Sequence, residues 1–137
     1  MKSVQYRSGY KYQLAGNHQF QLGLIRPPED IDTEYIALTK SGLLTLRNGY
    51  ASDGPSGATI DTPSSMRGAF IHDAIYQLMR QGYLPQTFRE PADKEAYNIW
   101  IEDGMWKLRA YFWHRELRKF GAPAADPKHI KKVHTAP

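Results

Sequence analysis

His72 and Asp73 stand side by side in the apolar run FIHDAIYQLMRQG, and Asp93 lies further along in PADKEAY. These residue types can do acid–base chemistry. An imidazole that donates one ring N–H to a carboxylate is fixed in one tautomer, and its other nitrogen can then take a proton. A second carboxylate beside a glycine-rich loop suits a hard cation such as calcium, with backbone carbonyls as further ligands. The same residues also read as polar groups on a packed helical hairpin, since a histidine bonded to a carboxylate at the edge of a core is a frequent structural arrangement.

Helical geometry decides whether they can meet. Ile71, Ile75 and Leu78 share one face and are expected in the core. His72, Tyr76 and Met79 repeat that spacing one step around, which puts His72 at the edge of the buried stripe. Asp73 lies about 100° further on and can face the loop. Gly82 ends this helix, expected from about Met66 to Gln81 with Ser64 or Ser65 as its cap. After the connection YLPQTFRE, Pro91 suits the first turn of a second helix running to about Asp103. Two helices joined this closely pack antiparallel. His72 and Asp93 lie nearly equal distances either side of Gly82, so their side chains are expected within hydrogen-bond reach.

The remaining elements frame that pair. Residues 3–25 alternate apolar and polar, with turn signals at Gly9 and at Gly16-Asn17, and predict an early hairpin. EYIALT and LLTLRNGY predict two more strands around Ser41-Gly42. ASDGPSGATIDTPSS, residues 51–65, is loop chemistry, and a long loop inside a domain is often functional. A third helix is expected over 105–120, after Gly104. Its Leu108, Tyr111, Phe112 and Arg115 fall on one face, and an aromatic stripe at helical spacing usually packs, with basic stems snorkelling around it. A lipid-facing or nucleic-acid-facing surface is the competing reading of that helix. The expected fold is a single α+β domain over 1–121. It comprises a small antiparallel sheet in 1–50, the loop 51–65, and helices over 66–121. Those helices are an antiparallel pair, one bearing His-Asp and one Ala-Asp, and a basic aromatic helix. Residues 122–137 read as a basic tail that adds little stability.

Composition limits the chemistry. Hydrophobic residues make up 41% and charged residues 23% of the 137, which places the chain among globular domains rather than disordered ones. There is no cysteine, so disulfides, thiolate catalysis and cysteine zinc sites are excluded. The net charge of +4 favours an anionic partner, nucleic acid or anionic lipid. Neither a signal peptide nor a membrane-spanning run is apparent, so the chain is expected to be soluble. No G-x-S-x-G elbow, H-E-x-x-H or phosphate-binding glycine loop is present.

The HDAIY stretch resembles the H-D-x-x-Y motif of phospholipase A₂ enzymes, and PADKEAY resembles the aspartate-bearing start of their second long helix. The similarity is closest to the phospholipase domain of parvovirus capsid proteins, which also lacks disulfides. GYASDGPSG, HDAIYQLMRQG, YLPQTF and PAD follow in that order, over roughly residues 49–103. The resemblance implies that His72 is the general base, Asp93 its orienting carboxylate and Tyr76 a support for that carboxylate. It implies that Asp73 ligates calcium, with Asp53, Gly54 and Gly57 in the loop that approaches the ion. The first fifty residues have no counterpart in those enzymes. SDGPS, HDAIY, AD and a late RKFG also resemble an uncharacterised family of phage and prophage proteins. That likeness implies a phage origin and no activity, with the host cytoplasm or the virion as location.

The leading expectation is thus a phage-derived, calcium-dependent ester hydrolase of phospholipase A₂ type acting on a phospholipid surface. The alternatives are a non-catalytic virion or assembly protein that keeps the helical pair as scaffold beside other phage structural proteins, and a nucleic-acid-binding protein using the basic C-terminal region.

Overall fold

A computed structural model describes residues 6–7, 12–52 and 63–127, and its architecture is α+β, with antiparallel sheets followed by helices. The strands are β1 (Tyr6–Arg7), β2 (Tyr12–Leu14), β3 (His18–Gln21), β4 (Ile31–Asp32), β5 (Ile36–Leu38), β6 (Leu43–Leu46) and β7 (Ala51–Ser52). The helices are α1 (Pro63–Arg80), α2 (Arg89–Glu102), α3 (Lys107–Phe120) and the short α4 (Ala122–Ala125), with a 3₁₀ turn at Gln86–Phe88 before α2.

The strands make two sheets where the sequence suggested one. β1-β2-β7 form the first and β3-β6-β5-β4 the second, all pairs antiparallel. The Gly16-Asn17 turn joins the sheets instead of closing a hairpin. Gly16 N–H donates to Asn48 Oδ1 (2.8 Å) and Asn48 N–H donates to Asn17 Oδ1 (2.7 Å), pinning that corner. The expected turn at Gly9 lies outside the described residues. Period-two burial appears where it was expected: Ile36 pairs with Leu46 and Leu38 with Leu44, all four fully buried, while Ala37 and Thr45 between them are half-buried.

Helix α1 is the centre of the molecule. Its side chains from Ser65 to Met79 are buried except at Asp73 and Gln77, because the sheets, α2 and α4 cover it from several sides. His72 is therefore inside the packing, not at its edge. The helix also starts earlier than expected. Pro63 takes a first-turn position that needs no N–H, so Ser64 and Ser65 lie within the helix.

Left-handed glycines end α1 and α2. Gly82 and Gly104 have φ of +85° and +96°. In each case the next residue's N–H reaches back to a carbonyl of the last turn, Tyr83 to Leu78 (2.8 Å) and Met105 to Trp100 (2.8 Å). Two charged contacts then fix α2. Arg67 forks onto Asp103 through Nε (3.0 Å) and Nη2 (2.9 Å). Glu95, buried, accepts from the backbone N–H groups of Gly23 (3.0 Å) and Leu24 (2.7 Å), tying α2 to the loop after β3. Arg67 precedes His72 on α1 while Asp103, just past the end of α2, follows Asp93, as antiparallel packing requires.

Gly68 sets how closely α1 and α2 approach. A Cβ there would lie 2.6 Å from Trp100 Nε1 and 2.7 Å from its Cδ1. The indole is held by its bond to the Ser65 carbonyl (3.0 Å) and cannot withdraw without losing it. Gly68→Ala is expected to destabilise the fold by about 1–3 kcal/mol through overpacking, despite a helix-propensity gain of about 1 kcal/mol. Urea unfolding measures this, and a midpoint at or above the wild-type value would refute it.

Two expectations about the C-terminal region need correction. The chain does not leave the body at residue 122: Ala125 is fully buried, Arg80 Nη1 donates to the Ala124 carbonyl (2.8 Å), and Gln86 Nε2 donates to the Ala125 carbonyl (2.6 Å). Small alanine side chains let α4 seat against α1, and their size is why the segment read as a tail. Residues 128–137 lie outside the described residues. Nor does α3 dock through its aromatic stripe. It packs on α2 through Ala110, Trp113 and Leu117, and leaves Leu108, Tyr111 and Phe112 exposed. Among the described residues no helix is long and apolar enough to cross a membrane.

Candidate functional site

Helix α1 offers His72 and Tyr76 one turn apart on the face it turns to α2, where Asp93 stands in the second turn. His72 Nε2 lies 2.7 Å from Asp93 Oδ1, and the Tyr76 hydroxyl donates to the same oxygen at 2.5 Å. The two rings stack with centroids 4.0 Å apart and planes tilted by 34°. Spacing had paired His72 with Asp93 and the resemblance had added Tyr76; all three meet.

Asp93 is completely buried. Burial alone would raise its pKa, but the hydrogen bonds from His72, Tyr76 and Arg118 outweigh it and hold the carboxyl below its ordinary range. Asp93 is thus ionised at neutral pH and can only accept. The bond to His72 then assigns a ring proton to Nε2, and in the neutral form of the ring Nδ1 carries the lone pair. The Tyr76 phenol is pushed up, by burial first and then by the carboxylate it faces, so it remains a donor.

Two arginines that were not among the expected site residues complete the arrangement. Arg118, on α3, donates from Nη1 to Asp93 Oδ2 (2.8 Å). Arg89, at the start of α2, donates from Nε to the Tyr76 hydroxyl (3.2 Å) and from Nη2 to the carbonyls of Leu117 (2.6 Å) and Arg118 (2.7 Å). It thereby fastens the end of α3 that carries Arg118. Gly121 matters for the same reason: a Cβ there would lie 2.8 Å from the Tyr76 hydroxyl oxygen. Arg118 and Gly121 both belong to the RKFG run, and that run was the signal that could have found them. His114, also on α3, was not among the site residues expected from the sequence. Its Nε2 is buried without a partner among the described residues, its ring meets Tyr97 edge-on at 5.7 Å, and burial pushes its pKa down.

Asp73 stands beside His72 in sequence but points to another neighbour, accepting a short hydrogen bond from Ser52 Oγ at the end of β7. That contact brings the start of the glycine-rich loop to the helix bearing His72. Asp53, Gly54 and Gly57 lie outside the described residues. Among those described, no three acidic or imidazole side chains gather as a metal site. Asp73 alone does not make a calcium site. An open depression of about 420 Å³, lined by Gln86, Thr87, Arg89, Glu90, Arg118 and Ala122, lies on the Arg118 side of Asp93, and His72 is not among its walls. Comparison with protein-family models, curated proteins and solved structures finds no match.

Proposed function

We propose that the protein is a phage-derived ester hydrolase of phospholipase A₂ type, with His72 as general base and Asp93 as its orienting carboxylate. The observation that carries this reading is the 2.7 Å contact between His72 Nε2 and the ionised Asp93, which leaves Nδ1 as the proton acceptor. His72 Nδ1 would take a proton from water as the oxygen attacks the ester carbonyl, and Asp93 would stabilise the imidazolium that forms. The imidazolium would then return the proton to the departing alkoxide, closing the cycle without net change in the enzyme. Tyr76 and Arg118 act on Asp93, so they are positioning residues. Calcium is the expected cofactor of this chemistry; Asp73 would contribute a carboxylate to it, and the ion would polarise the ester carbonyl.

A second reading has its own observation. Asp93 is saturated by three side chains and fully buried, and the His72 side chain is only 8% exposed. Such a network also suits a scaffold that joins α1, α2 and α3 in a non-catalytic virion or assembly protein. One experiment separates the two. Purified protein is given a soluble short-chain phospholipid and fatty-acid release is followed in calcium and in chelator. The hydrolase releases fatty acid in calcium and not in chelator. If no glycerophospholipid is cleaved in calcium, the scaffold is the better account.

A further inference from the structure

Among the described residues helix α3 has one face buried and the other without a partner, and that outer face carries both greasy and positive side chains. Leu108 is 67%, Tyr111 54% and Phe112 47% exposed, and Trp106, just before the helix, is 84% exposed. At 100° per residue Leu108, Phe112, Arg115 and Lys119 lie within one quadrant, opposite Ala110 and Leu117, and Tyr111 borders it. Both Arg115 and Lys119 are exposed. Docking on α2 therefore turns outward the side chains that water solvates worst, together with two cations.

We propose that this face of α3 binds the surface of an anionic lipid bilayer, with Trp106, Leu108 and Phe112 entering the interface and Arg115 and Lys119 pairing with lipid phosphates. Charge selects this occupant: Arg115 and Lys119 lie within the patch and the exposed Glu116 only flanks it, so a second copy of the same face would bring like charges together at its centre. Shape speaks against nucleic acid. A single strand is held in a positive groove where bases stack, whereas α3 presents a convex cylinder, and against a duplex groove the exposed Leu108 and Phe112 would meet mostly polar base edges and phosphates. Aromatic and leucine side chains interleaved with lysine and arginine match the requirements of an interfacial helix. Arg118 lies about 90° around α3 from the centre of this face, with His114 further round, and the inference does not rest on ester hydrolysis.

The full-length protein is mixed with phosphatidylglycerol vesicles or phosphatidylcholine vesicles, in chelator so that no turnover intervenes. Cosedimentation and tryptophan emission are read. Binding to the anionic vesicles with a blue shift of emission is expected, and much weaker binding to the zwitterionic ones. Trp106 is the reporter, since Trp100 is already buried and Trp113 packs against α2. Phe112→Asp should abolish the blue shift and most of the binding, while retaining the C-terminal lysines and, being an exposed change, the fold. Arg115→Gln with Lys119→Gln should weaken anionic binding roughly 25-fold, about five-fold for each charge. The inference is overturned by wild type remaining with the supernatant, or by Phe112→Asp binding as wild type does. It is equally overturned by a concentration-dependent dimer that Phe112→Asp dissolves, or by salt-steep binding to an oligonucleotide with none to vesicles. Hydrolysis of soluble short-chain phospholipid by Phe112→Asp at the wild-type rate would leave the hydrolase standing whatever the vesicles report.

Discussion

Asp93→Ala is expected to lower the unfolding free energy by about 3 kcal/mol and the melting temperature by about 10 °C. The substitution removes one buried carboxylate but strands three partners. Tyr76 and His72 are buried and lose their acceptor, and Arg118, 35% exposed, loses its counter-ion. Breaking one member of a buried charge pair costs more than the pair contributes, because the remaining groups stay desolvated. Asp93→Asn keeps the shape and should cost less. The two variants also give a pH test. The folded-state pKa of Asp93 lies below its ordinary 3.8, so its ionised form stabilises the fold. That contribution is fully present above about 3.8 and is lost as pH falls through the lower folded-state value. The difference in unfolding free energy between wild type and Asp93→Asn should therefore narrow below pH ~4. A difference that widens there, or a melting temperature for Asp93→Ala within 2–3 °C of wild type, would show that the network does not bear on stability.

The pairing of His72 with Asp93 was legible because both conditions for it are local. Gly82 stops α1 where its period breaks, and the connection is too short for anything but antiparallel packing. Its surroundings were less legible because they depend on surfaces meeting across the chain. Glu95 reaches the backbone of Gly23 and Leu24, and backbone groups leave no mark in a residue pattern. Strand pairing was hidden for a related reason: alternation tells which face of β2 is apolar but not that β7 will lie beside it.

Helix α3 misled for a different reason. Counting apolar residues selects Leu108, Tyr111 and Phe112 as the packing face, whereas docking on α2 selects the narrower side chain of Ala110 and the stripe that includes His114 and Arg118. A crowded junction with α2 favours a small residue at closest approach. Arg118 is drawn inward by the Asp93 charge, which its own helix cannot reveal. The functional consequence is that α3 supplies a cation to the site through one face and leaves a cationic, aromatic surface on the other.

The largest expected effect on activity is at His72. In the hydrolase, His72→Ala removes the group that accepts the water proton, and kcat/KM should fall by about 10²–10⁴-fold. Asp93→Asn should fall less, since it disturbs the tautomer and the stabilisation of the imidazolium while leaving a base in place. Because His72 is buried and not at an edge, alanine also opens a cavity and removes one donor from Asp93. A loss of about 1–3 kcal/mol in stability is expected, and circular dichroism must show the variant folded before its rate is read. The comparison with Asp93→Asn matters because a merely structural network orders the two differently. In a scaffold, both changes act through stability alone, and any weak hydrolysis would track the folded fraction. In the hydrolase, His72→Ala loses turnover at temperatures where it is fully folded. Soluble short-chain phospholipid is the substrate for this measurement, so that vesicle docking through α3 plays no part. A folded His72→Ala with kcat/KM within ten-fold of wild type would place the base elsewhere and remove His72 from the chemistry.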